Sequence, residues 1–197
     1  MPVVLLAKMH RVGDSDDEKI WLAQSRNGDH AAFAALIRKY QPMIHSLTFR
    51  MTGSVADCKD LAQESFIRAY QQLNSYQGAS KFSSWLYRIA VNACLDWRRR
   101  ETRRSRLHTD WSETNAAERA GAESEPDTDE LSRRVQAALM KLPDKQRATI
   151  VLTVYAGHNH AEAGRILGCS ETTVSWRVFA ARRKLKKLLS KQGCRHE

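Results

Sequence analysis

The chain has 197 residues, 42% hydrophobic and 27% charged, so it is long enough to bury a core without disulfides or metal ions. An excess of Lys and Arg, 32 against 22 Asp and Glu, gives a formal charge of +10 and a field that attracts polyanions such as nucleic acid. The four cysteines form no CxxC pair, which argues against a disulfide framework. The apolar start is short, which argues against a signal peptide. Together these features predict a cytoplasmic protein.

Apolar residues recur at helical spacing along the whole chain, whereas runs that alternate apolar and polar residues are nearly absent. We therefore predict an all-α fold. After a flexible tail at 1–13, residues 14–106 are predicted to form one small domain with helices at 16–27, 31–52, 57–73 and 81–104. The apolar positions of its first two helices are Ile20, Leu22, Phe33, Leu36, Ile37, Tyr40, Ile44 and Leu47.

The helix at 81–104 carries one narrow apolar stripe, which predicts that this side faces the core. Its members are Phe82, Trp85, Leu86, Ile89, Ala93 and Trp97. Residues 107–129 lose the helical spacing and become acidic and polar, which is typical of a flexible linker. The spacing resumes at Leu131, so residues 130–192 are predicted to form a second small helical domain.

The second domain contains the signals of a helix-turn-helix. Asn159 followed by Glu162 fits a capping box at the start of a helix over 160–167. Gly168 is a favoured residue after a helix end, and Ser170 is suited to cap the next helix. Two short helices joined by such a turn predict a DNA-binding motif.

The last helix has two distinct faces when it is wound at 100° per residue. One face is apolar through Val174, Val178, Ala181 and Leu185. The opposite face is polar, aromatic and basic through Thr172, Trp176, Phe179 and Arg183. A basic helix face is often merely solvated, but the caps, the turn and the exposed aromatic residues together favour a helix that lies in the major groove.

A metal site is the alternative interpretation of this segment, through His158, His160 and Cys169. The two histidines are two positions apart, which does not align their side chains on one helix face. No second thiol or carboxylate lies at zinc-motif distance, so we predict neither a metal ion nor a cofactor. The sequence also shows no catalytic constellation, which predicts a protein that is not an enzyme and has no small-molecule substrate.

Four blocks of the sequence, in order, resemble the extracytoplasmic-function sigma factors, the small alternative promoter-recognition subunits of bacterial RNA polymerase. The blocks are the helix-turn-helix and the stretches DLAQESFIRAYQQLNSY at 60–76, FSSWLYRIAVNACLDWRRR at 82–100 and LPDKQRATIVLTVYAG at 142–157. The resemblance runs from about Asp16 to Leu189 and includes the acidic linker. It implies that residues 14–106 are sigma domain 2 and that residues 130–192 are sigma domain 4.

The resemblance implies contacts for each block. Core polymerase would be bound through its β′ clamp helices and β flap, with a clamp-helix surface made of Asp60, Gln63, Glu64, Ile67 and Arg68. One flipped base of the −10 element would be captured by the loop at 74–82, and the helix after it would run along the rest of the element. The residues expected to contact the −10 element are Asn74, Tyr76, Gln77, Ser80, Lys81, Tyr87, Arg88, Asn92, Arg98 and Arg99. Val91 and Leu95 belong to the same expected outer side of that helix, and Arg98, Arg99 and Arg100 are expected to contact DNA phosphates.

The resemblance assigns the −35 element to the last helix. We expect base contacts from Glu171, Thr172, Ser175, Trp176 and Phe179, and backbone contacts from Thr173, Arg177, Arg182 and Arg183. Related sequences usually carry a SYEEIA-like run where this chain has HNHAEAG. Gly164 should therefore cost about 1 kcal/mol relative to Ala and weaken the helix-turn-helix.

The predicted function is that of an alternative sigma factor that initiates transcription of a stress, envelope or metal-response regulon. The resemblance implies an anti-sigma factor, usually membrane-anchored, that would hold the protein at the inner membrane face. Two other classes stay open at this point. One is a stand-alone helix-turn-helix regulator, and the other is a metal-responsive DNA-binding sensor.

Overall fold

A computed structural model of the chain describes residues 16–108 and 130–193. The predicted tail at 1–13 and all but the first two residues of the predicted linker lie outside this part. The described residues are helical and contain no strand, which confirms the all-α prediction.

The N-terminal domain is built from helices whose ends are set by local caps. Asp29 accepts hydrogen bonds from the amides of Ala31 and Ala32 at 2.8 and 3.1 Å at the start of the second helix. Gly53 ends that helix in the left-handed conformation at φ 75°, and Ser54 then caps the third helix. The helices are α1 Asp16–Arg26, α2 His30–Thr52, α3 Val55–Gln71 and α4 Phe82–His108, with a 3₁₀ turn Leu73–Ser75 before α4.

The core of this domain lies between α2, α3 and α4, and its buried side chains include Leu36, Ile44, Leu47 and Leu86. Ile20, one of the apolar positions named for the first helix, lies outside this core, because its side chain is 53% exposed. Ile20 lies two residues before the buried Leu22, which is about 200° around the helix, so one face of α1 cannot bury both.

The C-terminal domain contains α5 Glu130–Met140, α6 Asp144–Ile150, α7 His160–Leu167 and α8 Glu171–Gly193. A π-helical segment Val151–Tyr155 continues α6. Leu139, Val151, Leu152, Ala163 and Val174 are buried between these helices. Within residues 130–193 these helices form one small helical unit.

The two domains pack directly against each other. Helix α2 contacts α5 and α6, and helix α4 contacts α6 and α7. The sequence predicts two domains and a linker, but no periodic signal indicates this contact. It changes the surroundings of several predicted site residues.

Candidate nucleic-acid interface

The helix-turn-helix forms as its caps predict. The Asn159 side chain accepts from the amide of Glu162 at 2.8 Å, and the Glu162 carboxylate accepts from the amide of Asn159 at 2.9 Å, which confirms the capping box. Gly168 ends α7 in the left-handed conformation, and the Ser170 hydroxyl accepts from the amide of Thr173 at 3.2 Å. The turn thereby fixes the direction in which α8 leaves α7.

Helix α8 has the two predicted faces. Val174, Val178 and Ala181 are buried, whereas the side chains of Trp176 and Phe179 are 63% and 67% exposed. Large exposed aromatic residues on a basic helix are unusual for a solvated face and suit contact with base edges. Five other predicted −35 residues are also exposed, namely Glu171, Thr172, Ser175, Arg182 and Arg183.

Three polar side chains around the turn are held by neighbours. The Ser175 hydroxyl lies 2.8 Å from His160 Nδ1, and the Thr173 hydroxyl lies 2.9 Å from that of Ser170. The Arg177 guanidinium lies 3.4 Å from the sulfur of Cys169. The sequence interpretation of His160 as merely the first helical residue missed its contact with α8, which depends on how α7 and α8 cross and leaves no periodic signal.

Gly164 has a different role from the one predicted. A Cβ at this position would lie 2.7 Å from the carbonyl oxygen of Cys169, closer than real contacts allow. The amide of Cys169 also donates to the Gly164 carbonyl at 3.0 Å, so the turn folds back onto this residue. The expectation that glycine weakens the motif is therefore corrected, because the close approach of the turn requires it.

The residues of the alternative metal interpretation have other neighbours. His158 packs edge-on against the ring of Tyr87 at a centroid distance of 4.9 Å, while His160 bonds Ser175. Within 16–108 and 130–193, no group of three or more His, Cys, Asp or Glu side chains is arranged to hold a metal ion. The structure does not bring His158, His160 and Cys169 together as ligands.

The predicted polymerase surface lies on α3. Asp60, Gln63 and Ile67 are exposed, whereas Glu64 and Arg68 are half-buried and paired with each other. Gln63 and Ile67 border a groove of about 750 Å³ between α2 and α3, whose apolar lining includes Phe33, Ile37, Phe66 and Tyr70. The predicted polymerase surface thus combines a polar rim with an apolar groove, which is typical of a protein-binding surface.

The loop before α4 carries exposed polar side chains and an aromatic residue that packs on two rings of α4. The side chains of Asn74, Gln77, Ser80 and Lys81 are exposed, while Tyr76 is half-buried. The Tyr76 ring lies 5.4 Å from that of Phe82 and 5.3 Å from that of Trp85, and its hydroxyl donates to the Ser80 carbonyl. Such a loop offers amide groups and stacking surfaces next to each other, as capture of an unstacked base requires.

Helix α4 is less accessible than predicted. Asn92, Arg99 and Arg100 are exposed, but Tyr87 and Val91 are buried, so their expected position on the outer side is wrong in this conformation. The physical reason for Tyr87 is its contact with His158 of the C-terminal domain.

Two further predicted −10 side chains of α4 also contact the C-terminal domain. Arg88 donates to the carbonyl of Arg165, and Arg98 Nε lies 3.2 Å from Asp144 Oδ1. Arg98 is therefore half-buried against the C-terminal domain, whereas Arg88, Arg99 and Arg100 remain exposed.

Arg147 is the most deeply buried charge at the contact between the domains. Its guanidinium donates to the carbonyls of Leu139, Met140 and Leu142 in its own domain and to that of Met51 at the end of α2. Burial, followed by the nearby charge of Arg98, lowers the pKa of Arg147 to about 10. The group stays protonated at neutral pH and donates to carbonyls at the ends of α2 and α5, of which that of Leu139 also accepts from the amide of Leu142. No motif or periodic signal in the sequence indicates a role for this arginine.

None of the helices in the described ranges is long and apolar enough to cross a bilayer.

Two family models match the chain. Sigma-70 region 2 matches residues 36–104, which cover most of α2, α3 and α4. Sigma-70 region 4 matches residues 132–185, which cover most of α5, all of α6 and α7, and most of α8. The two matches coincide with the two domains of the structure.

Curated and solved relatives agree with the family models. The chain is 36% identical to the ECF RNA polymerase sigma factor SigW of Bacillus subtilis over 85% of its own length and 94% of that protein. The structure of CnrH, solved in complex with the cytosolic domain of CnrY, is similar with a TM-score of 0.65 and 27% identity over 89% of this chain and 99% of that one. The sigma factor RpoE of Bartonella quintana, solved with the anti-sigma factor NepR, shares the fold with a TM-score of 0.67 and 23% identity over 80% of this chain and 96% of that one. The chain therefore belongs to the ECF RNA polymerase sigma factors.

Proposed function

We propose that this sigma factor binds core polymerase through α3, captures the −10 element with the loop before α4, and reads the −35 element with α8. The observation that carries the proposal is α8 itself, whose apolar face is buried while Trp176 and Phe179 are exposed beside Arg182 and Arg183. A helix with one buried apolar face and one exposed aromatic and basic face can enter the major groove while its apolar face stays packed on the domain.

Run-off transcription tests the proposed function as a whole. Purified chain and core polymerase are incubated with a library of genomic fragments, and we expect discrete transcripts that core polymerase alone does not produce. A stand-alone helix-turn-helix regulator would instead retain fragments on a filter without supporting transcription. That result, with no association to core polymerase, would contradict the proposal.

The groove between α2 and α3 supports docking of the β′ clamp helices. The Ile67 side chain is 49% exposed at the rim of a groove whose lining is apolar, and a partner that covers it gains the burial of an isoleucine. Gln63 and Asp60 supply a polar rim next to it. Burial of an exposed apolar side chain of this kind contributes favourably to binding.

Ile67→Ala is expected to weaken binding to core polymerase by about tenfold, since the lost contact is worth on the order of 1–2 kcal/mol. The matched control is Ile20→Ala, because Ile20 is 53% exposed on α1 and is not among the residues that line the groove. Dissociation constants are measured with fluorescently labelled chain. Equal weakening by the two substitutions would show that the α2–α3 groove is not the docking surface.

The −35 residues divide into two kinds of contact. Trp176 projects from the middle of the exposed face of α8, where it suits contact with base edges, whereas Arg183 lies two turns later and suits contact with phosphates. Trp176→Ala should change which −35 sequences are preferred. Arg183→Ala should weaken binding to all −35 sequences alike. It should also lower the salt dependence of the binding constant by about one released counterion.

Binding of both variants to a randomised −35 library, measured at several salt concentrations, separates these effects. The two substitutions remove side chains from one helix face, so each serves as the control of the other. Identical base preferences for the two variants would show that Trp176 does not read bases.

An anti-sigma factor is the proposed regulator. RpoE was solved with the anti-sigma factor NepR and CnrH with the cytosolic domain of CnrY, which supports a similar partner for this chain. We propose that the protein acts in the cytoplasm, that the partner is membrane-anchored, and that release follows envelope, metal or another stress. Affinity capture from membrane and soluble fractions, with and without stress, tests the anchoring, and a partner found only in the soluble fraction would contradict it.

A further inference from the structure

A hydrogen bond between exposed side chains joins the two helices of the helix-turn-helix. His160 Nδ1 lies 2.8 Å from Ser175 Oγ, although the two residues are 15 positions apart in the sequence. His160 is the first residue of α7, where the capping box of Asn159 and Glu162 fixes the backbone. The imidazole therefore reaches α8 from a well-defined starting point.

The Ser175 hydroxyl has a second partner on its own helix. It donates to the carbonyl of Glu171, one turn earlier, at 3.1 Å. A serine hydroxyl has one proton and two acceptor lone pairs. Since that proton is used for Glu171, the bond to His160 forms with Nδ1 as the donor, and one lone pair is left over. Together the two partners make the Ser175 hydroxyl an acceptor toward any further group.

Ser175 lies within the proposed −35 face of α8. It is exposed, it directly precedes Trp176, and it stands one turn before the exposed Phe179. In the major groove an acceptor pairs with the amino group of adenine or cytosine, and not with the O6 of guanine or the O4 of thymine. A serine hydroxyl that is free to turn pairs with either kind of group. Use of its proton inside the protein therefore gives Ser175 a base preference.

Apolar packing, and not this hydrogen bond, holds α7 against α8. The side chains of Ala163, Ile166, Val174 and Val178 are buried in the C-terminal domain. The bond to His160 lies outside this packing at an exposed position, where water competes for both partners and the net gain in stability is small. Loss of the bond should therefore change what Ser175 offers to DNA more than it changes how the helices pack.

We propose that His160 is a positioning residue for −35 recognition, which holds the Ser175 hydroxyl as a hydrogen-bond acceptor for an adenine or a cytosine. The proposal rests on the assignment of α8 to the −35 element in the proposed function. It adds a residue of the first helix of the motif to those that determine base preference. Side chains that contact a ligand discriminate best when neighbouring hydrogen bonds fix their orientation.

The test selects bound sequences from DNA duplexes randomised over the −35 element, with the full-length chain. Ser175→Ala identifies the base position that Ser175 contacts, because the preference at that position should be lost. Ser190→Ala is the matched control, since Ser190 is exposed on the same helix and its hydroxyl also donates to a carbonyl of the preceding turn, that of Lys187. We expect the control to enrich the same sequences as the wild type.

Three substitutions of His160 then test the donor at Nδ1. His160→Ala should lower the preference for adenine or cytosine at the Ser175 position by about three- to tenfold, the range for one hydrogen bond between neutral groups, and leave other positions unchanged. His160→Asn should retain most of the preference, because its amide carries an N–H donor on Cγ, as Nδ1 does in histidine. His160→Phe keeps a ring without a donor and should behave as His160→Ala.

The double variant separates positioning from a general effect on the fold. If His160 acts through Ser175, the addition of His160→Ala to Ser175→Ala changes the base preference no further. A uniform loss of affinity for every sequence, equal with and without Ser175, would show that His160 only supports the fold and would overturn the proposal. An unchanged preference in His160→Ala, or a His160→Asn variant as impaired as His160→Phe, would overturn it as well.

Failure of the proposed function gives a different result. A wild-type chain that enriches no sequence would overturn both the −35 assignment of α8 and the role of His160. A wild type that enriches a motif, with Ser175→Ala enriching the same motif, would overturn only the role of His160. Circular dichroism and thermal unfolding show whether each variant is folded. If His160→Ala does not fold, the comparison of His160→Asn with His160→Phe decides.

Discussion

Arg147→Met is expected to lower the free energy of unfolding by about 3–5 kcal/mol. The Arg147 side chain is fully buried, and its guanidinium donates to the carbonyls of Leu139, Met140, Leu142 and Met51. Methionine fills a similar volume but provides no donor, so several buried carbonyls lose their hydrogen bonds together. Each such loss costs on the order of 1–3 kcal/mol when water cannot replace the donor.

Urea unfolding followed by circular dichroism measures this effect, with Arg133→Met as the control. Arg133 is exposed on α5 and pairs only at the surface with Glu130, so its removal should change stability by less than about 0.5 kcal/mol. Arg147→Lys retains a charge but not the planar fork of donors, so it should recover only part of the loss. Similar values for the Met variants at 147 and 133 would show that the buried hydrogen bonds carry little stability.

Local signals account for the part of the site that the sequence predicted. The start and end of α7 follow from Asn159, Glu162 and Gly168, because caps act within a few residues of the chain. The two faces of α8 follow from a period of 3.6 residues, which holds for any helix with one buried side. Fold class, domain order and the exposed position of Trp176 were therefore predictable without structure.

Contacts between distant residues account for the errors. Arg147 and its acceptor Met51 are 96 residues apart, and Tyr87 is buried by His158 of the other domain, so neither effect is visible in the period of one helix. Gly164 was misinterpreted for the same reason, since propensity describes an isolated helix and omits the turn that approaches it. The roles of individual residues toward polymerase and DNA remain predictions.

Gly164→Ala is expected to destabilise the helix-turn-helix by about 1–3 kcal/mol, although alanine is the better helix former. The added Cβ would lie 2.7 Å from the carbonyl oxygen of Cys169, which is backbone and cannot move aside without displacing the turn. Gly164 also accepts through its own carbonyl from the amides of Gly168 and Cys169, so both ends of the turn are tied to it. A shift here changes how α8 leaves α7 and should weaken −35 binding.

The matched control for this substitution is Ala161→Gly, at an exposed position of the same helix. Helix propensity alone predicts opposite effects on the free energy of unfolding: Gly164→Ala should raise it by about 1 kcal/mol, and Ala161→Gly should lower it by the same amount. Close packing of the turn instead predicts a loss at both positions, and a greater loss of −35 affinity at 164. Thermal unfolding and binding to a −35 duplex decide between helix propensity and close packing. A Gly164→Ala variant that is more stable than the wild type and binds DNA equally well would show that the turn does not need glycine at this position.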